Sequence, residues 1–191
     1  MKIEVKSVIG IITIIDGIVN VLTKNNKLII IDCDNDIDYI NSTYIKNEIN
    51  NNINLKQCYT FCNKEKDKLV VSIIYLDIVN INDFKLSNED YKFISINNLK
   101  NKYTDKMLEQ LKQELVLFST IKKLYPGEFV LPELQKLYEN ILNTKYDRRN
   151  FRKKFIRLGI IEELDRYTES RCGRPAKLYK FKEIEEDKVL L

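Results

Sequence analysis

The sequence predicts an α+β protein with two domains, on three observations. Runs of β-branched residues separated by turn signals dominate the first half, amphipathic helical spacing dominates the second half, and basic residues concentrate near the C-terminal end. The length of 191 residues, with 44% hydrophobic and 31% charged residues, suits folded domains with cores of normal size. We predict one domain over residues 1–115 and a second over residues 116–191.

The N-terminal half shows strand patterns around one helix. We predict strands at residues 3–15, 18–22, 28–31, 57–62, 69–78 and 91–96, and a helix at residues 36–54, where apolar residues recur at helical spacing. Asp16-Gly17 and Asn25-Asn26 are turn signals between the first three strands. The order β-β-β-α-β-β-β indicates a layered α+β fold.

A long amphipathic helix is predicted next. Thr104 is suited to cap its start, a leucine stripe continues through Leu115 to Phe118, and Pro126-Gly127 is a stop signal. The domain boundary is expected beside Leu115.

The C-terminal domain is predicted to contain two helices and a hairpin. The first helix covers residues 131–142, with Pro132 in its first turn, and the second covers residues 148–158, with Asp147 as N-cap and Gly159 after its end. Strands at residues 160–164 and 176–181 follow, joined by a polar loop. Two helices joined by a short turn, the second of them basic, and then a hairpin is the order of a winged helix-turn-helix.

Composition excludes several kinds of chemistry. The chain has no histidine and only four cysteines, whose spacing matches no zinc module, so we expect no Ser-His-Asp or Cys-His catalysis, no metal site and free thiols. No apolar run is long enough to span a bilayer, and the first residues lack the apolar core of a signal peptide, so a cytoplasmic protein without membrane contact is expected.

Charge is distributed unevenly. The formal net charge is +4, but residues 145–182 carry thirteen Lys or Arg against five Asp or Glu, which is +8 locally and leaves −4 for the remainder. On the helix after Asp147, Phe151 and Phe155 share one face, whereas Arg149 and Lys153 point away from it. Like charges at this spacing repel unless a polyanion is bound, so the pattern favours double-stranded DNA as a partner over a merely solvated basic surface.

The basic residues divide into predicted roles. We assign contacts with base edges in the major groove to Arg149, Asn150 and Lys153, because Arg can hydrogen-bond to guanine and Asn to adenine in bidentate fashion. Phosphate contacts are assigned to Lys145, Arg148, Arg152 and Arg157. The wing adds Arg171 and Arg174, which are suited to the DNA backbone or a narrow minor groove, and Lys177 completes the predicted DNA-binding set.

Three strings in the C-terminal third resemble the DNA-binding domain of Nudix-related transcriptional regulators. They are residues 128–139, residues 147–154 and the Gly173-Arg174-Pro175-Ala176-Lys177-Leu178-Tyr179 segment. The resemblance implies a homodimer that binds a pseudo-palindromic operator. It also implies an N-terminal Nudix-like α/β/α sandwich with a mixed sheet, holding an effector such as ADP-ribose or a sugar-phosphate-like metabolite.

The catalytic motif of Nudix hydrolases is degenerate at the corresponding positions. In the best register Glu48, Ile49 and Leu55 match the motif, but its arginine is Asn47, its metal-binding glutamate pair is Asn51 and Asn52, and its later glycine is Asn54. The first glutamate falls on Tyr39 and the first glycine on Cys33. Hydrolysis requires clustered carboxylates to hold divalent metal, so we expect no enzyme activity, no catalytic residues and no cofactor.

Two alternatives stay open at this stage. The chain could be a divergent Nudix hydrolase acting on a nucleoside diphosphate derivative, with Glu48 and the acidic run Asp32, Asp34, Asp36 and Asp38 holding metal. Alternatively, its N-terminal domain could bind no ligand and serve only for dimerisation.

Overall fold

The chain folds into two compact units, described here from a computed structural model that covers residues 2–49, 52–86, 88–125, 127–169, 175–183 and 190. The first unit consists mainly of residues up to Leu111, and the second mainly of residues from Lys112 onward. The predicted boundary after residue 115 lies within about one helical turn of this division. None of the helices in the described parts of the chain is long and apolar enough to cross a membrane.

The N-terminal unit contains a six-stranded mixed sheet in the order β4-β5-β1-β3-β2-β6. The strands are β1 Lys2–Ile15, β2 Ile18–Lys24, β3 Lys27–Cys33, β4 Lys56–Glu65, β5 Lys68–Ile78 and β6 Tyr91–Ser95. β1 and β5 run parallel, whereas β1–β3, β2–β3, β2–β6 and β4–β5 are antiparallel. All six predicted strands are present.

The predicted turns that join the first three strands have the expected backbone. Asp16 and Gly17 have φ of 51° and 73°, and Asn25 and Asn26 have φ of 51° and 63°. Two consecutive residues with positive φ match the twist of antiparallel strands, which is why Asn, Asp and Gly occupy such turns.

The helix predicted over residues 36–54 is shorter than expected. α1 covers Ile37–Tyr44, and a π-helical turn over Ile45–Ile49 follows it. The Asp36 carboxylate caps α1 by accepting from the Tyr39 N–H at 2.8 Å. The helical pattern fails beyond Ile49 because the segment around Asn54 returns toward the sheet, where the Asn54 N–H donates to Asp77.

Helices cover both faces of this sheet. Ile9 and Ile11 of β1 point into a core cluster with Ile45 and Ile49, on the side of α1. Gly10 lies on the opposite face of the sheet, against Met107. Met107 belongs to α2, which covers Lys102–Glu114. Because successive residues of a strand point to opposite faces, the unit is the predicted α/β/α sandwich.

The long helix predicted from Thr104 to the Pro126-Gly127 stop is in fact two helices. α2 ends at Glu114, and α3 covers Phe118–Leu124. The break is stabilised by tertiary contacts, since the Leu115 carbonyl accepts from the buried Tyr138 hydroxyl at 2.9 Å and the Val116 carbonyl accepts from the Leu190 N–H at 2.7 Å. Pro126 itself lies outside the described residues.

The predicted N-cap of the long helix is also wrong. The Asn101 side chain accepts from the Tyr103 and Thr104 N–H groups at 2.8 and 3.2 Å, so Asn101 caps α2. The Thr104 hydroxyl accepts from the Asn101 N–H at 2.9 Å, which makes the arrangement reciprocal. The prediction chose the wrong residue because Asn101 and Thr104 lie within one helical turn and both are suited to cap a helix.

The C-terminal unit has the helix and strand order of a winged helix. After α3 come β7 Glu128–Val130, α4 Leu131–Leu142, α5 Arg148–Arg157, β8 Ile161–Tyr167 and β9 Lys177–Phe181. The three strands form an antiparallel sheet in the order β7-β9-β8. β7 was not predicted, and β8 begins one residue later and extends further than the predicted strand at residues 160–164.

An aromatic cluster forms the centre of this unit. Tyr138 of α4 and Phe155 of α5 are fully buried, and Phe151 is almost so. The Phe151 and Phe155 rings lie 4.7 Å apart, and the Tyr138 and Phe155 rings lie 6.1 Å apart in an edge arrangement. This packing fixes which side of α5 faces inward and therefore which side is left to solvent.

Candidate nucleic-acid interface

The turn between α4 and α5 sets the start of the basic helix. α4 ends at Leu142 and is followed by its C-cap Asn143, which has the left-handed φ of 51°. The Glu139 carboxylate accepts from the Gln135 side chain at 2.9 Å, from the Tyr146 N–H at 3.0 Å and from the Lys145 ammonium at 3.2 Å. These donors, Gln135 first, lower the pKa of Glu139 to about 2. The turn is therefore held by a charged acceptor, and Lys145 is already paired within it.

α5 begins as predicted. The Asp147 carboxylate accepts from the Asn150 N–H at 2.9 Å, which makes Asp147 the N-cap. A carboxylate at this position also interacts favourably with the partial positive charge at the helix N-terminus. Cap and aromatic core together determine the rotation of α5 about its axis.

The outward side of α5 is cationic and exposed. Its exposed members are Arg148, Arg149, Asn150, Arg152, Lys153 and Arg157. Within the residues that the structure describes, no ion pair involves Arg148, Arg149, Lys153 or Arg157. The charges of these four cations are thus not compensated by carboxylates of the described chain.

Two members of the predicted set behave differently. Arg152 and Lys177 both pair with Glu163 of β8, Lys177 at 3.1 Å. The hydrogen bonds that Arg152 donates to Tyr179 and Glu163 raise the pKa of Arg152, and hydrogen bonding to Glu163 raises the pKa of Lys177. Arg171 and Arg174 lie outside the described residues, so the tip of the predicted wing stays a prediction.

Two residues near this surface were missed by the sequence analysis. Ile156 is 45% exposed and, at 100° per residue, lies on the same side of α5 as Arg149 and Lys153. The helical spacing contained that signal. Glu163 was not singled out, because nothing in the strand pattern of β8 shows which cations lie across from it.

Glu48, which the sequence analysis matches to the Nudix motif, lies in a hydrogen-bonded cluster of the N-terminal unit. Glu48 accepts from the Lys24 ammonium at 2.8 Å and from the Tyr91 hydroxyl at 2.9 Å, and Tyr91 shares a 2.6 Å hydrogen bond with Tyr44. The hydrogen bond from Lys24 is the main cause of the lowered pKa of Glu48. Of the acidic run, Asp36 is used as the cap of α1, and Asp32 lies 3.4 Å from Lys6.

A cavity of about 620 Å³ lies beside α1 in the same unit. Its polar lining comes from Asp38, Asn41, Ser42, Lys46 and Asn52, and its apolar lining from Ile45, Ile53, Leu55 and Tyr75. Asn41 is buried, and its side-chain oxygen accepts from Ser7 at 2.6 Å. The size and the mixed lining are typical of a small-molecule pocket.

The C-terminal third of the chain is similar in sequence to known proteins. Residues 121–181 match the family described as the NrtR DNA-binding winged helix domain. Over 58 residues the chain is 41% identical to the ADPR responsive transcriptional repressor NtrR of Acinetobacter baylyi, a match that covers 30% of this chain and 23% of that relative. The aligned segment is thus less than a quarter of the curated relative.

Two solved structures share the overall fold. Shewanella oneidensis NrtR, in a crystal with a 27mer DNA, superposes with a TM-score of 0.67 at 19% identity and 93% coverage of both chains. A MutT/nudix family protein from Enterococcus faecalis gives a TM-score of 0.57 at 14% identity, covering 96% of this chain and 89% of the other. At these identities the likeness concerns the fold alone.

By fold, the chain has an α/β/α unit and a winged helix unit, and the winged helix unit matches the NrtR DNA-binding winged helix domain in sequence. The chain is similar to NrtR in overall fold, and its C-terminal unit is also similar in sequence to the NrtR winged helix domain.

Proposed function

We propose that the chain is a transcriptional regulator that binds double-stranded DNA through α5. The observation that carries the proposal is a set of exposed cations on α5 that have no carboxylate partner among the described residues: Arg148, Arg149, Lys153 and Arg157. In a winged helix the corresponding helix enters the major groove. Arg149, Asn150 and Lys153 are proposed to contact bases, and Arg148 and Arg157 to hold phosphates.

The remaining predicted contacts are secondary in this proposal. Lys145, Arg152 and Lys177 reach phosphates only if their pairs with Glu139 and Glu163 loosen. Ile156 is proposed to contact a thymine methyl group, because an exposed apolar side chain on the groove-facing side suits that surface.

We further propose a homodimer on a pseudo-palindromic site, modulated by a small molecule. Two-fold protein symmetry places two recognition helices about one DNA turn apart. The Acinetobacter relative is described as responsive to ADPR, which makes ADP-ribose the first effector to test. The cavity beside α1 is the proposed binding place, and thermal shift against ADP-ribose and sugar phosphates tests it, since a bound ligand raises stability by mass action.

The test of DNA binding is a gel shift with the DNA upstream of the protein's own gene. Retardation at low salt that weakens steeply with added salt is expected, because cations that meet phosphates release counterions. Absence of retardation with any genomic fragment at low salt would refute the proposal.

The enzyme alternative is disfavoured by the pairing of Glu48. A carboxylate that accepts from an ammonium and a phenol is poorly available to a divalent metal, and the neighbouring motif positions are neutral amides. Incubation with nucleoside diphosphate sugars and magnesium is expected to give no hydrolysis. Turnover that Glu48→Gln abolishes would establish the divergent hydrolase instead.

A further inference from the structure

One carboxylate joins two of the predicted DNA-contacting cations. Glu163 Oε1 accepts from Arg152 Nη2 and from the Tyr179 hydroxyl, the latter at 3.0 Å, and Glu163 Oε2 lies 3.1 Å from Lys177 Nζ. Arg152 Nε also donates to the Tyr179 oxygen at 3.2 Å. The cluster links α5 to both strands of the hairpin, β8 and β9.

The geometry places an acid in competition with DNA phosphates. Arg152 sits on the exposed side of α5, half of its side chain reaching solvent, and the Glu163 side chain is about one-third exposed. A phosphate that approaches Arg152 or Lys177 must share that cation with Glu163 or displace it. Arg149 and Lys153, in contrast, have no such competitor among the described residues.

We infer that Glu163 limits the sequence-independent part of DNA binding by holding Arg152 and Lys177 in an internal cluster. It is a positioning residue, since it acts through these two cations. The inference rests on the proposed function. Contacts between cations and phosphates allow such proteins to bind DNA of any sequence. An acid that pairs with two of these cations therefore weakens binding to nonspecific DNA and leaves the residues of α5 that contact bases unchanged.

The experiment measures binding of the full chain to a mixed-sequence duplex by fluorescence anisotropy over a series of salt concentrations. Glu163→Gln is expected to steepen the slope of log K against log salt by about 1 to 2, because each cation released to a phosphate contributes about 0.9. When the salt concentration is lowered from 200 to 50 mM, each released cation should add a further increase in affinity of about 3.5-fold.

Glu162→Gln is the matched control. It removes the same charge from the adjacent residue of β8, where Glu162 pairs with Lys180 at 3.4 Å, outside the cluster. A wild-type slope is expected for this variant. Equal slopes for the two variants would overturn the inference, because overall charge would then explain the change.

A second variant keeps the test valid if Glu163→Gln fails to fold. With Glu163 present, Arg152→Gln combined with Lys177→Gln is expected to leave the slope nearly unchanged. A decrease of about 2 would show that both cations already contact phosphates and would overturn the inference. If the wild-type chain binds no duplex at low salt, the proposed function fails, and this inference fails with it.

Discussion

The exposed side of α5 allows a quantitative prediction for Arg149→Ala combined with Lys153→Ala. A base contact by Arg or Lys contributes about 1–3 kcal/mol, so losing both is expected to cost at least about 2 kcal/mol, which corresponds to roughly 30-fold in affinity. If either side chain contacts phosphate instead, the salt slope decreases by about 0.9 for that residue. The fold should persist, because both side chains are exposed and form no ion pair with the described residues.

The assay is anisotropy with the upstream fragment at two salt concentrations, together with thermal unfolding. Lys56→Ala combined with Lys64→Ala is the control, since it removes the same charge from two exposed lysines of β4 in the N-terminal unit. The control should bind like the wild type. Equal losses in the two double variants would refute the reasoning, because net charge and not α5 would then determine affinity.

Three further predictions concern stability and are measured by denaturation. Tyr138→Phe leaves the buried Leu115 carbonyl without its donor and should cost about 1–2 kcal/mol of unfolding free energy, whereas an unchanged value would mean that water replaces the hydroxyl. In the wild type, the lowered pKa of Glu139 contributes stability that is present above pH 4.5, the ordinary pKa of a glutamate, and is lost as the pH falls toward about 2. Glu139→Gln should lack this contribution, so the free energies of unfolding of the two proteins should converge in acid. Gly10→Ala places a Cβ 2.8 Å from the end of the Met107 side chain, and about 1–3 kcal/mol of destabilisation is expected unless that flexible chain moves aside.

Features set by local chemistry were predictable from the sequence. The Asp16-Gly17 and Asn25-Asn26 turns require positive φ, which few other residues adopt cheaply, and Asp147 is a capping residue directly before an amphipathic run. The helical spacing of Phe151 and Phe155 then identifies the buried face of α5, and the opposite face is therefore the exposed one. In each case the information lies within a few residues of the chain.

Features set by tertiary contacts were not predictable. The leucine stripe runs on through Leu115, and only the hydrogen bond from Tyr138, 23 residues further along the chain, shows that the helix stops there. β7 is three residues long and precedes a helix directly, so its pattern is too short to indicate a strand without its partner β9. The pairing of Arg152 with Glu163 likewise depends on how a helix and a hairpin meet.

The charge excess of the C-terminal domain is therefore more localised than the sequence suggests. Counting residues gives a broad basic region, but Arg166 pairs with Glu128, Lys180 with Glu162, and Arg152 with Glu163. Exposed pairs of this kind add little to stability, yet each lowers the field that an approaching polyanion meets. Carboxylates thus compensate the cations of the hairpin and Arg152, whereas Arg149 and Lys153 on the outer side of α5 have no carboxylate partner among the described residues. A polyanion is therefore attracted most strongly to α5, which has the shape to enter a groove. Electrostatic attraction and the shape of the helix thus favour the same contact with DNA.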